Sequence, residues 1–416
     1  MLSSLSPAAA PEGLPAGLAA LSRVDFDTAL PILQQAAQSQ STKAGAHLAM
    51  GRLHLLAFDR ASALRHFSEA FAASPDDADV LVTYAATTPD RALETALLRR
   101  LLQLSGSHEV SQRRLALLEQ LGGRAVNRLE TPYTEYKLRM PVAYSREGRA
   151  AGWLVSIQLN GSRPLRMMLD TGARGLLVTP SSARLARLER LGETELGGFG
   201  EGRARRAELL LAESVRAGEI SFANVIVAAT SHEFPAELDG LIGLDLFRQF
   251  LITLDGKSSL LRLTPFPDSE PAEAEGERPW SRYETGASGL RSGRTLLQSR
   301  HLLIAPVQVE AGPLAHFVLD SGAAYSMVQQ TREPAVAIRQ ISLQGLSGFT
   351  AANEVLRPMR IEFPGGRRAL LREAITTDLS PVSESFGVQI DGFVGFPVLR
   401  RLVTTIDLRS GSLHVQ

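Results

Sequence analysis

The chain has 416 residues with 44 Lys+Arg against 44 Asp+Glu, so its formal charge is zero and no global field draws it to nucleic acid or anionic lipid. Apolar residues make up 44% and charged residues 21%, with 35 Gly and 22 Pro, a composition that excludes a disordered or fibrous chain. Cysteine is absent, which excludes disulfides, thiol catalysis and every Cys-based zinc or iron–sulfur site.

At roughly 150 residues per domain, the length predicts two to three domains. No apolar run approaches the roughly 18 to 20 residues that span a bilayer. Residues 1–20 mix Ser, Pro, Ala and Gly with no basic segment and no sustained apolar stretch, and read as a tail. With no signal peptide in it, the default location is cytoplasmic; a trimmed export signal would make it periplasmic or secreted.

Residues 21–124 lack strand alternation and carry Ala, Leu, Gln and Arg at helical spacing, which predicts paired antiparallel helices. Counted from Ala44, positions Gly51, Ala63, Phe67, Ala70 and Pro75 fall where a tetratricopeptide repeat of about 34 residues wants small, small, aromatic, small and proline. Gly17, Ala29 and Ala36 fill the matching slots one repeat earlier, and a degenerate copy follows. The segment thus resembles tetratricopeptide repeats, and an ordinary helical domain is the alternative.

After Gly122-Gly123 the texture changes to short alternating runs, among them TEYKLRMPVAY, GWLVSIQLNG, ANVIVAAT, LITLDG, HLLIAPVQVE, PMRIEF and RLVTTIDL. They predict an all-β region over 130–264 and 281–416. Residues 265–280, Pro- and acid-rich without periodicity, read as a linker between two halves.

The halves repeat each other. Asp170 in LRMMLDTGA and Asp320 in AHFVLDSGA are offset by 150, whereas Asp239 and Asp391, which open DGLIG and DGFVG, are offset by 152. Asp255 and Asp407 keep the 152 offset, and Gly198-Phe199 aligns with Gly348-Phe349 at 150. Each half therefore reads as a strand, an Asp-hydroxyl-Gly-Ala turn, a Gly-rich segment, further strands and an Asp-Gly-apolar-apolar-Gly turn.

This pattern resembles the lobe of retropepsin-like aspartic proteases over roughly residues 130–416. The resemblance implies a multidomain α plus all-β chain: an N-terminal tetratricopeptide-like domain, then two acid-protease β-barrel lobes with pseudo-two-fold symmetry. It implies an aspartic endopeptidase with Asp170 and Asp320 as the catalytic pair and Thr171, Gly172, Ala173, Ser321, Gly322 and Ala323 as supports. Two facing carboxylates cannot both ionise; they share a proton, one acting as base on a water while the other polarises the scissile carbonyl. Gly197, Gly198, Phe199 and Gly200, with Gly348 and Phe349, occupy the family's substrate-covering flap, for which ordinary hairpin turns are the alternative.

Such chemistry needs no cofactor and no metal, and the eight His show no metal-ligand spacing. The implied partner is a polypeptide substrate, with a protein partner on the helical repeats; no nucleic acid and no membrane span enter. One departure stands out. The family continues with a hydroxyl residue three positions after the Ala; Ser326 supplies it in the second half, but Leu176 stands in the first, which leaves the local support of Asp170 in question. Asp239 and Asp391 read as structural, Asp255 and Asp407 as turn residues, and Arg203, Arg205 and Arg206 as a solvated face. The rival class is an inactive protease-like scaffold whose repeats bind a partner; such a copy would often have lost one Asp, and both are present.

Overall fold

The computed structural model describes residues 13–145, 148–197, 205–231, 234, 238–266, 293–294, 296–330, 337–341, 344–345, 348–349 and 353–416. The chain divides into a helical unit running to Leu115, to which Gly387–Gln389 also belong, and a β unit comprising Ala116–Phe386 and Ile390–Gln416. Of the segment read as a linker, residues 267–280 lie outside the described residues.

The helical unit is built from α1 (Leu14–Ser22), α2 (Phe26–Ala36), α3 (Lys43–Leu56), α4 (Arg60–Ala73), α5 (Ala78–Thr87) and α6 (Arg91–Ser105), and α7 (Glu109–Leu121) begins in it. Four of these helices start on an aspartate whose carboxylate accepts a first-turn N–H: Asp25 from Thr28, Asp59 from Ser62, Asp77 from Val80, and Asp90 from Ala92 and Leu93. The first helix starts at Leu14, inside the segment read as a tail, because Pro15 is accommodated in a first turn and Gly17, Ala20 and Leu21 bury against the unit.

A 34-residue recurrence runs through the packing. Gly17 lies against Leu33 so closely that a Cβ would come 2.6 Å from its side chain, and Gly51 meets Phe67 in the same way one repeat on. Ala29 and Ala63 are fully buried at equivalent positions, and Ala85 and Leu101 bury 34 residues further along. Small residues on one helix let its partner approach, and a large side chain fills the gap.

In the β unit every alternating run named above forms a strand. The arrangement around each Asp-hydroxyl-Gly turn is repeated residue for residue. Strand Gly240–Ile242 runs parallel to Leu165–Leu169, with Gly240 beside Met167, and antiparallel to Leu176–Val178, with Gly240 beside Val178. Strand Gly392–Gly395 runs parallel to Leu314–Asp320, with Gly392 beside Phe317, and antiparallel to Ser326–Gln329, with Gly392 beside Val328. The apolar run after each Asp-Gly thus threads between the strand that enters the turn and the strand that leaves it, burying both faces.

A third sheet joins the halves. Its order is Gly293–Arg294, Ser412–Val415, Val403–Asp407, Leu251–Asp255, Leu260–Thr264 and Tyr136–Arg139. The central pairing is antiparallel between strands of different halves, Thr253 facing Thr405, and their hydroxyls lie 3.0 Å apart. Trp153 of the first half is fully buried and meets the Phe396 ring of the second edge-on, 5.0 Å between centroids. Strands of the first half and strands of the second half thus form one continuous ladder.

Candidate active site

The strands Leu165–Leu169 and Leu314–Asp320 end on the two predicted aspartates, and the turns that follow meet each other. The contact is reciprocal. Thr171 N–H donates to Ser321 Oγ at 3.0 Å and Ser321 N–H donates to Thr171 Oγ1 at 2.9 Å. Thr171 Oγ1 in turn donates to the Leu319 carbonyl at 2.6 Å, and Ser321 Oγ to the Leu169 carbonyl at 2.7 Å. Both hydroxyls are buried and fully used, each closing onto the strand that delivers the opposite aspartate.

This grip brings each carboxyl up to the opposite turn, and the two act on each other electrostatically across the junction. The glycines make the approach possible. A Cβ on Gly172 would stand 2.9 Å from Asp320 Cγ, and one on Gly322 would stand 2.5 Å from Asp170 Cγ. Gly172 N–H donates to Asp170 Oδ1 at 2.8 Å, while Asp320 Oδ1 accepts from Gly322 at 2.9 Å and Ala323 at 3.0 Å. Ala173 and Ala323 are half-buried at the turns.

Although each aspartate keeps some accessible surface, packing strips water from both carboxyls. For Asp170 this desolvation, then repulsion from Asp320, raises the pKa well above the ordinary carboxylate value, against the pull of the Gly172 and Ala173 N–H groups. Desolvation also raises Asp320, but the two backbone donors and the Asp170 carboxyl oppose it. Both members are therefore raised above the ordinary carboxylate range, and the pair titrates as a unit.

Backbone bracing behind the two turns differs. Ser326 Oγ accepts the Gly395 N–H at 3.0 Å in the second half. Where Leu176 replaces that hydroxyl, the Gly243 N–H goes to the Gly175 carbonyl at 2.8 Å, and the Asp245 carboxylate takes the Gly175 N–H at 2.7 Å. Asp245 is the residue that sequence reasoning missed. Its signal was slight, an Asp just after the DGLIG turn where the other half has Pro397.

The remaining acids lie apart from the pair. Asp239 accepts from both Arg163 guanidinium nitrogens, the Arg166 N–H and Ser182 Oγ; burial pushes its pKa up, but these donors hold it below the usual range. Asp391 likewise takes the His316 N–H at 2.7 Å, so both acids brace the strand entering the turn. Asp255 accepts from Lys257 and Ser258, and Asp407 from Arg409 and Ser410, in matching turns. Gly197 follows strand Glu189–Leu196, while Gly198, Phe199 and Gly200 lie outside the described residues. Gly348–Phe349 pairs with Gln344–Gly345 as a short two-stranded turn. Arg205 and Arg206 are exposed, and Arg203 lies outside the described residues. Among the described residues no group of three or more His, Asp or Glu could hold a metal ion, and no helix is long and apolar enough to cross a membrane.

Residues 155–246, which carry Asp170, match the protein family described as Aspartyl protease, and this supports an aspartic protease fold. Among solved structures, the aspartic proteinase from Irpex lacteus is 10% identical, with 68% of this chain and 96% of that chain covered at a TM-score of 0.44. A retropepsin-like aspartic protease from Rickettsia conorii is 20% identical, with 33% of this chain and 97% of that chain covered at a TM-score of 0.22. Comparison with curated proteins gives no match.

Proposed function

We propose that the chain is an aspartic endopeptidase in which the two halves of the β unit act as paired lobes and Asp170 and Asp320 hydrolyse a peptide bond. The observation that carries this reading is the close approach of each aspartate to the opposite glycine turn, held in place by the Thr171–Ser321 grip. One aspartate of the pair is ionised and takes a proton from a water. Its partner keeps the shared proton and donates it toward the scissile carbonyl, so that charge developing on that oxygen is met as hydroxide adds to the carbon. Proton return to the amide nitrogen then releases the amine and restores the singly protonated pair. The helical unit, read as tetratricopeptide-like repeats, recruits the substrate protein or a partner.

Cleavage of a peptide mixture by the wild type, Asp170→Asn and Asp320→Asn tests the reading. Both variants are expected to lose activity by about 10²–10⁴-fold, the span typical of a positioned acid or base. Full activity in either variant, in a protein that remains folded by circular dichroism, rules out the pair as the catalytic centre.

A further inference from the structure

The two turns that carry the aspartates present different chemistry to anything lying between them. Four residues after Asp170 stands Arg174, exposed to solvent; the matching position after Asp320 is Ala324, followed by the half-buried Tyr325. Each turn is also approached by a residue from the opposite half. Arg149 lies 4.8 Å over the Tyr325 ring, and its guanidinium is paired with Glu373 at 2.6 Å, so the cation on the Asp320 side is compensated.

The Asp170 side is arranged differently. His301 lies beside the Gly172 backbone with its ring edge-on to Phe386, 5.7 Å between centroids. Burial first, then the Arg174 charge, lowers the His301 pKa, so this neighbour adds no second cation beside the guanidinium at physiological pH. Asp245, a carboxylate of this neighbourhood, braces the turn by accepting the Gly175 N–H at 2.7 Å. Among the described residues none forms an ion pair with Arg174.

Resting on the endopeptidase reading, we propose that the site selects its polypeptide asymmetrically: Arg174 binds an acidic side chain of the substrate on the Asp170 side of the scissile bond, and no such preference holds on the Asp320 side. A planar guanidinium can take a carboxylate with two parallel hydrogen bonds, and substrate seated in the cleft excludes the water that would weaken them. Charge-assisted hydrogen bonds of this kind predict a preference of roughly 10-fold for Glu over Gln at one substrate position. Because one partner starts exposed, the preference falls as ionic strength rises.

The test uses fluorogenic peptides in which a single residue, Glu, Gln or Lys, is moved stepwise through four positions on each side of one cleavable bond. The wild type is expected to show a Glu-over-Gln ratio in kcat/KM of roughly 10 at a position on one side only. That ratio should approach one in Arg174→Gln and turn in favour of Lys in Arg174→Glu. Wild-type cleavage with no charge preference, a preference on both sides, or a ratio unchanged in Arg174→Gln overturns the assignment and leaves the endopeptidase reading intact. Should the variants fail to fold, the wild-type ratio and its decline between low and high salt decide alone. No cleavage of any peptide between acid and neutral pH removes the endopeptidase reading and this inference together.

Discussion

The two halves of the β unit reach the same register by different stitches. In the second half one hydroxyl, Ser326, takes the Gly395 N–H; in the first, buried Leu176 contributes packing, and Gly175 and Asp245 divide the backbone work. What the turn requires is that each buried N–H and carbonyl find a partner, and the identity of the partner is free to drift. The grip between the halves has drifted less: Thr171 and Ser321 differ by a methyl group and make the same two bonds in mirror order.

The comparison is broken most severely where the halves touch. Gly322→Ala and Gly172→Ala each place a methyl against the opposite carboxyl, and displacement of a reacting group by about 1 Å costs on the order of 10²-fold. Activity in both variants should fall by at least that factor, and further for Gly322→Ala, whose Cβ would stand 2.5 Å from Asp170 Cγ against 2.9 Å for the converse pair. Peptide cleavage by each variant, with the fold checked by circular dichroism, measures this; equal and small losses would mean the turns can separate freely.

Next in size is the grip. Thr171→Val or Ser321→Ala orphans a buried N–H and a buried carbonyl, a loss on the order of 3 kcal/mol for either variant. Urea denaturation should show the two within about 1 kcal/mol of each other, given the reciprocity of the bonds. A one-sided effect would show that the halves share the load unequally.

The bracing behind the turns is weaker. Ser326→Ala and Asp245→Ala should each lower stability by about 1–2 kcal/mol, since each strips one partner from a backbone N–H. Similar midpoints in urea would establish that Asp245 replaces the missing hydroxyl; a silent Asp245→Ala would return Asp170 to the unsupported state that Leu176 suggested.

The slightest effect is the pH response. Both carboxyls hold their protons more tightly folded than unfolded, so the native state binds more protons as pH rises past the ordinary carboxylate value. Their stabilising contribution is full below that value and is lost as pH climbs through the raised pKa. Melting temperatures of the wild type should therefore decline from mildly acid to neutral pH, and less steeply in Asp170→Asn and in Asp320→Asn, each of which lacks one of the two raised groups. Parallel slopes in all three proteins would show that the pair does not carry the pH response.

Much of this was legible before any coordinates. The Asp-hydroxyl-Gly turns, the Asp-Gly-apolar-apolar-Gly strands and the 34-residue helical spacing are local patterns, each imposed by one turn or one close approach. What stayed hidden depends on neighbours distant along the chain. No local rule places Thr253 opposite Thr405, sends Arg149 to Tyr325, brings His301 to Gly172, or marks Asp245 as the answer to Leu176. The start of α1 at Leu14 escaped because Ser- and Pro-rich flanks mask a short helix whose order comes from Leu33 beneath Gly17.

The Thr253–Thr405 crossing has a mechanical meaning. An unbroken ladder of main-chain bonds ties one half to the other, so prising them apart would tear the sheet from Ile252 to Asp255. Two turns welded along that seam keep their acids at constant spacing, and any motion that admits a molecule between them must come from parts that do not belong to the weld.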